Sequence, residues 1–152
     1  MLLRLAKEGD RAEVEALLNQ AGLPGDGVGE HFNTFIVAED GARIVGVAGL
    51  EMYGVGALLR SVAVKPDVRG TGLGALLVRQ AFNEAKGRGV DALYLLTTTA
   101  QSYFPRFGFE QIAREHVPAG VQESREFRGA CPSSAVVMRA ALEGVVNRVS
   151  AR

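Results

Sequence analysis

Arg69, Gly70, Gly72 and Gly74 lie in the stretch VRGTGLGALLVRQA, residues 68–81, between an apolar run and an amphipathic run. A strand, a glycine-rich turn and a helix start, in that order, make an anion site. The first-turn N–H groups of a helix lack internal partners, and the helix dipole adds positive potential. Spacing then separates the possible devices. A dinucleotide fingerprint needs G-x-G-x-x-G, and this stretch is one residue short. A P-loop needs Gly-Lys-Ser/Thr, and no lysine follows. What remains is R-x-x-G-x-G from Arg69, Gly72 and Gly74. It is either a phosphate cradle of another kind or a turn that needs glycine for geometry alone.

Few other residues carry chemistry. Glu51 ends the apolar run GVAGLE, where a carboxylate is unusual in a core. It is either a general base or a solvated strand-end residue. Arg60 sits inside the apolar run ALLRSVAV. A charge there is paired or functional, unless its side chain is solvated. One cysteine, Cys131, and two histidines leave no cluster for a metal, and a lone cysteine excludes an internal disulfide.

The elements that must position these groups follow from pattern. LLRLA reads as a first strand. Asp10 opens a helix with Glu13 closing a capping box, and Val14, Leu17, Leu18 and Ala21 form its buried stripe. GEHFN suggests a short second helix. TFIVAED, RIVGVAGLEMY and ALLRSVAVKP read as a three-strand meander ended by Pro66. The glycine stretch opens a helix through about Lys86, with Leu73, Leu76, Leu77, Gln80 and Ala81 on one side. VDALYLLTTT is a strand buried on both faces. A short helix over QSYFPRF and strands in GFEQIAR and SAVVMRAAL complete the chain. The helix between the third meander strand and VDALYLLTTT is a crossover, so those two strands should be parallel.

The chain has 152 residues, enough for one domain over 1–142, with 143–152 read as a tail that frays. Lys plus Arg equals Asp plus Glu at 17 each, so no global basic field argues for nucleic acid. MLLRLAKEGD carries charge within its first residues and lacks a long apolar segment, which argues against a leader or a membrane span. A cytoplasmic setting fits the single cysteine.

R-x-x-G-x-G over Arg69, Gly72 and Gly74 matches the acetyl-CoA signature of the GNAT acetyltransferases. The longer string LLRSVAVKPDVRGTGLGALLV resembles that family's strand, loop and helix, and FPRFGF resembles its short helix before the sixth strand. YLLTTTAQSYFPRFGF and EFRGACPSSAVVMRAAL look like the small arsenic-resistance N-acetyltransferases and are similar to the acetyltransferase domain of bacterial N-acetylglutamate synthase. The resemblance implies an α+β GNAT fold: a mixed, mostly antiparallel sheet of about seven strands with a splayed central pair and about four helices. It implies acetyl transfer from acetyl-CoA, without metal, to the amine of a small, glutamate-like amino acid, with arsenic- or phosphorus-containing analogues included. A peptide N-terminus, a polyamine or an aminoglycoside is the alternative acceptor. A catalytically degenerate acyl-CoA sensor is the alternative of another class. A small-molecule acceptor and a homodimer are the implied partners, without nucleic acid or membrane.

The same resemblance assigns residues. Arg69, Gly70, Thr71, Gly72, Leu73 and Gly74 hold the diphosphate. Val62, Ala63 and Val64 pair with pantetheine through their backbone, and the Val62 N–H is the oxyanion donor. Glu51 is the candidate base from its place at the end of GVAGLE; here the chain departs from the related synthase domain, whose glutamate lies on the following strand where this chain has Leu58. The family's acid tyrosine is replaced by Phe104, which leaves a cofactor-wall role, with Tyr103 beside it. A thiolate of pKa about 8.5 leaves without such an acid. By the resemblance, Ser134 aligns with a serine that contacts glutamate in the synthase domain, and Thr98 ends the strand where the family's pocket opens. Arg60, a charge within an apolar strand, and His31, otherwise a structural histidine near a helix end, are the other expected acceptor contacts. Arg125 and Arg128 are either part of a carboxylate clamp or decoration of a short helix.

Overall fold

The computed structural model describes residues 1–142; the expected tail, 143–152, lies outside the described residues. Seven strands form one mixed sheet: β1 (Leu2–Leu5), β2 (Ile36–Asp40), β3 (Arg43–Tyr53), β4 (Gly56–Val64), β5 (Ala92–Thr97), β6 (Glu110–Gln111) and β7 (Val136–Ala141). Their order across the sheet is β1-β2-β3-β4-β5-β7-β6. Among the described residues the α-helices are three: α1 (Arg11–Gln20), α2 (Leu73–Gly87) and the four-residue α3 (Ala119–Gln122). That is one fewer than expected. GEHFN and FPRF form tight 3-10 turns, at Val28–Glu30, Phe32–Thr34 and Phe104–Phe107.

The β4–β5 pairing carries the functional shape. The two strands run parallel, as the crossover requires, with the register Gly56↔Ala92, Ala57↔Leu93 and Leu58↔Tyr94. The register stops there, while β4 continues to Val64 and β5 to Thr97. Beyond it β5 goes on pairing with β7 alone, through Leu95↔Met138, Leu96↔Val137 and Thr97↔Val136. This is the splayed central pair.

The chain divides into two compact units. One holds Met1–Glu51 with Leu59–Ala81; the other holds Met52–Leu58 with the chain from Phe82 onward. In the first, α1 buries Val14, Leu17 and Leu18 among Phe32, Phe35, Val37, Val47 and Ala63. Gly46 and Gly49 on β3 leave room for close packing, because an added Cβ at Gly49 would meet Phe35 Cζ at 2.6 Å. In the second, Leu58, Tyr94, Val117, Val121 and Val137 form the core. An edge-to-face set of rings, Phe82–Phe109 at 5.7 Å and Phe104–Phe109 at 5.7 Å, adds to it.

Three local expectations change. Asp10 does not cap α1. Its carboxylate accepts the Lys7 N–H at 2.7 Å and the Arg4 guanidinium at 2.8 Å, and these partners hold the Asp10 pKa below the usual carboxylate value. Glu13 does not reach back either; it accepts the Ile44 N–H of β3 at 3.1 Å. Leu76 is exposed, and the buried side of α2 is Leu73, Leu77, Val78, Ala81 and Ala85. The strand expected in GFEQIAR shrinks to Glu110–Gln111, since the chain turns at Arg114–His116 after the Ile112 N–H reaches Val137 O.

Candidate active site

The glycine turn takes the form its sequence asks for. Pro66–Val68 makes a 3-10 turn, Arg69 is extended, and α2 begins at Leu73. Gly70 and Gly72 have φ of +81° and +85°, angles an L side chain rarely adopts. An added Cβ at either would meet nothing within 4 Å, so backbone angle, rather than crowding within the chain, requires glycine. The Thr71 hydroxyl donates to Val68 O at 2.7 Å and braces the turn. The first bond of α2 runs from Leu76 N–H to Gly72 O at 3.1 Å. The N–H groups of Leu73, Gly74 and Ala75 therefore stand at the helix start, before that ladder begins, where an anion binds.

The strand leading into this turn is irregular. Ser61 has φ of +56° and is the one non-glycine residue with positive φ among the described residues. It follows the last β4 residues that pair with β5 and precedes Val62, Ala63 and Val64. On its other side β4 stays tied down, with the Lys65 N–H donating to Val45 O at 2.8 Å.

Glu51 and Arg60 meet. Arg60 Nη1 donates to Glu51 Oε2 at 2.9 Å, and the side chains are 0% and 1% exposed for Arg60 and Glu51. Neither is solvated at a strand end or edge. Arg60 Nε donates to Ser61 Oγ at 2.9 Å, Nη2 to Pro24 O at 2.9 Å, and Nη1 also to Asp26 O. One guanidinium thus joins β3, the turn of β4 and the loop after α1. His31 Nε2 lies 3.6 Å from Glu51 Oε1, with its side chain 26% exposed. The Thr34 hydroxyl lies within hydrogen-bond reach of His31 O, at 3.0 Å, and of Leu50 O. It fastens the turn bearing His31 to the residue before Glu51. Pattern reading of the sequence missed Ser61, Thr34 and the two loop carbonyls. A serine beside an arginine in an apolar strand is the one local mark of that irregularity.

The remaining expected residues belong to the second unit. Thr98 is exposed, one residue past the end of β5, and Ser134 is exposed in the turn before β7. The terminal pair Thr97↔Val136 puts both at the same end of the β5–β7 ladder. Phe104 is buried, with its ring 5.3 Å from Tyr103 and 5.7 Å from Phe109. Arg125 and Arg128 are exposed. Leu58, matched to a synthase glutamate only by the resemblance, is a core residue. Among the described residues no group of three or more His, Cys, Asp or Glu side chains is placed to hold a metal ion.

The β4–β5 register that stops at Leu58 and the glycine turn opening α2 are what the GNAT resemblance implies. Residues 31–111, just over half of the chain, match the acetyltransferase (GNAT) domain family, and the chain belongs to that family. It is 33% identical over 90 residues to an uncharacterized N-acetyltransferase of Chlorobaculum tepidum, covering 59% of this chain and 57% of the relative. It is 30% identical over 91 residues to the amino-acid acetyltransferase of Vibrio atlanticus, covering 59% of this chain and 20% of the relative. The chain thus spans under two thirds of these curated relatives. In fold it is similar to the N-acetylglutamate synthase of Neisseria gonorrhoeae, solved with coenzyme A and N-acetyl-glutamate. There the TM-score is 0.80 at 21% identity, over 93% of this chain and 35% of that one. Rv2747 of Mycobacterium tuberculosis, solved with CoA, matches with a TM-score of 0.78 at 22% identity, over 93% and 99% of the two chains.

No helix among the described residues is long and apolar enough to cross a membrane.

Proposed function

We propose that this chain moves the acetyl group of acetyl-CoA, by direct attack, to the amine of a small amino acid or amino-acid-like acceptor of glutamate-like shape. The observation that carries the reading is β4. Its β5 register ends at Leu58, its backbone turns at Ser61, and it leads within a few residues into the Gly70–Gly72 turn and the open start of α2. Backbone groups at Val62, Ala63 and Val64 hold pantetheine. Amides from Gly70 to Gly74, with Thr71 bracing the turn and Arg69 adding charge, hold the diphosphate. The Val62 N–H meets the oxyanion as the tetrahedral centre forms. Phe104 supports the wall against the carrier. The Glu51–His31 pair serves the acceptor's proton transfer, while Thr98 and Ser134 contact the acceptor. Arg60 serves the acceptor through Glu51, because its guanidinium faces Glu51, Ser61 and two carbonyls.

The acceptor class rests on relatives named amino-acid acetyltransferases and on the synthase likeness. Thiol release from acetyl-CoA across a panel of amines tests it. Glutamate and its arsenic- and phosphorus-containing analogues head the panel, followed by other amino acids, polyamines, aminoglycosides and peptides. Acceptor-dependent thiol with the first group is the expected result. Tight acetyl-CoA binding with no acceptor-dependent thiol overturns the enzyme reading in favour of a sensor. Turnover confined to peptides or aminoglycosides overturns the acceptor class.

A further inference from the structure

We propose that His31 takes the proton from the acceptor's ammonium group, with Glu51 behind it as a positioning residue held by Arg60. This inference rests on the acetyl-transfer reading above and refines who performs its proton step.

A general base must come within hydrogen-bond reach of the proton it removes, directly or through one water. Glu51 is badly placed for that. Its side chain is 1% exposed, and Oε2 accepts Arg60 Nη1 at 2.9 Å. His31 is better placed. Its Nε2 stands 3.6 Å from the other carboxylate oxygen, Oε1, and its side chain is 26% exposed. Arg60, Glu51 and His31 therefore run in series from the interior to the surface, and His31 is the member that solvent reaches. Imidazole is also the side chain whose chemistry suits proton exchange near neutral pH. A carboxylate behind an imidazole fixes the ring and balances the imidazolium that forms when it takes a proton. Arg60 supplies the countercharge that lets this carboxylate stay buried. The Thr34 hydroxyl, with one proton to give, lies within reach of both the His31 and the Leu50 carbonyl, so the imidazole-bearing turn sits against the carboxylate-bearing strand.

The step balances. The acceptor arrives as R–NH3+, and neutral His31 takes one proton to become imidazolium against Glu51. The amine lone pair forms the C–N bond to the acetyl carbon, the C–S bond breaks, and its electron pair leaves on sulfur. The second nitrogen proton neutralises the thiolate to the free thiol. Imidazolium then returns its proton to solvent.

The test uses the full chain with the best acceptor of the panel. His31→Ala and His31→Gln are compared with wild type, since glutamine keeps hydrogen bonding but takes no proton. Both are expected to lose roughly 10²-fold or more in kcat, with KM for acetyl-CoA within about twofold. Free imidazole in the medium should restore part of the rate to His31→Ala and none to Glu51→Gln. A His31→Gln protein with wild-type kcat, or His31→Ala without imidazole rescue, overturns the assignment while leaving the acetyltransferase reading intact. A wild-type protein that releases no thiol with any amine overturns both.

Discussion

Arg60 Nη1 stands 2.9 Å from Glu51 Oε2, and both side chains are sealed from solvent. Removing two charges from water is costly, and their attraction repays it only when the remaining donors are also satisfied. Here they reach Ser61 Oγ and the carbonyls of Pro24 and Asp26. Arg60→Met leaves Glu51 buried without its countercharge and should cost about 3–5 kcal/mol in denaturant unfolding. The double variant Arg60→Met/Glu51→Leu should lose clearly less than the sum of the two single changes. Additive losses would show that the pair does not act as a unit.

Gly72 has φ of +85° at the open start of α2. A side chain there carries a left-handed penalty of about 1–2 kcal/mol and projects into the space assigned to the diphosphate. Gly72→Val is expected to raise KM for acetyl-CoA at least about tenfold, a loss of roughly 1.4 kcal/mol in binding. Gly41→Val, at φ of +65° in the β2–β3 turn with open space around it, carries the same backbone penalty. It should lower stability while leaving KM alone. Equal KM changes in the two variants would mean that strain, and not phosphate contact, is being measured.

Short-range chemistry was legible in the sequence. The glycine turn, the strand ending before Pro66, the hairpin at Gly41 and the parallel crossover through α2 all depend on neighbouring residues or on chain handedness. What escaped depends on distant backbone. Arg60 finds carbonyls 34 and 36 residues earlier, and nothing near Arg60 encodes which loop will supply them. Asp10 looked like a helix cap, but the Arg4 guanidinium, brought alongside, and the Lys7 N–H claimed its carboxylate instead. Leu76 fits the apolar period of α2 and still faces out, because the burial stripe is centred on Leu77 and Ala81. Family resemblance supplied roles for Val62 and Ser134 that no pattern of residue types would give.

Asp10 gives a pH signature separate from catalysis. Its carboxylate accepts Arg4 and the Lys7 N–H, and the Arg4 hydrogen bond is the main cause of its lowered pKa. A folded-state pKa below the unfolded value, about 3.9, means stabilisation that is fully present above that value. It is lost as pH falls through the lowered folded value. Asp10→Asn is therefore expected to cost about 1–2 kcal/mol at pH 7. The gap between variant and wild type should narrow steadily once pH drops below about 4. Urea midpoints at pH 7, 5, 4 and 3 measure it, and a gap that is constant across that range rules out the linkage.

Ser61 concentrates the consequences of the irregular strand in one residue. Its φ of +56° costs about 1–2 kcal/mol for any residue with a Cβ, and more for a β-branched one. The hydroxyl offsets part of that by accepting Arg60 Nε at 2.9 Å. The left-handed step falls between Leu58, the last β4 residue in register with β5, and Val62, the proposed oxyanion donor. Ser61→Gly relieves the angle and removes the acceptor, two changes of opposite sign. Stability should stay within about 1 kcal/mol of wild type and acetyl-CoA affinity within a few-fold. Ser61→Val keeps neither the angle nor the hydrogen bond. It should cost more than about 2 kcal/mol and weaken acetyl-CoA binding by calorimetry, because straightening β4 re-aims the backbone of Val62, Ala63 and Val64. Wild-type affinity in Ser61→Val would show that this turn does not set the direction of those groups.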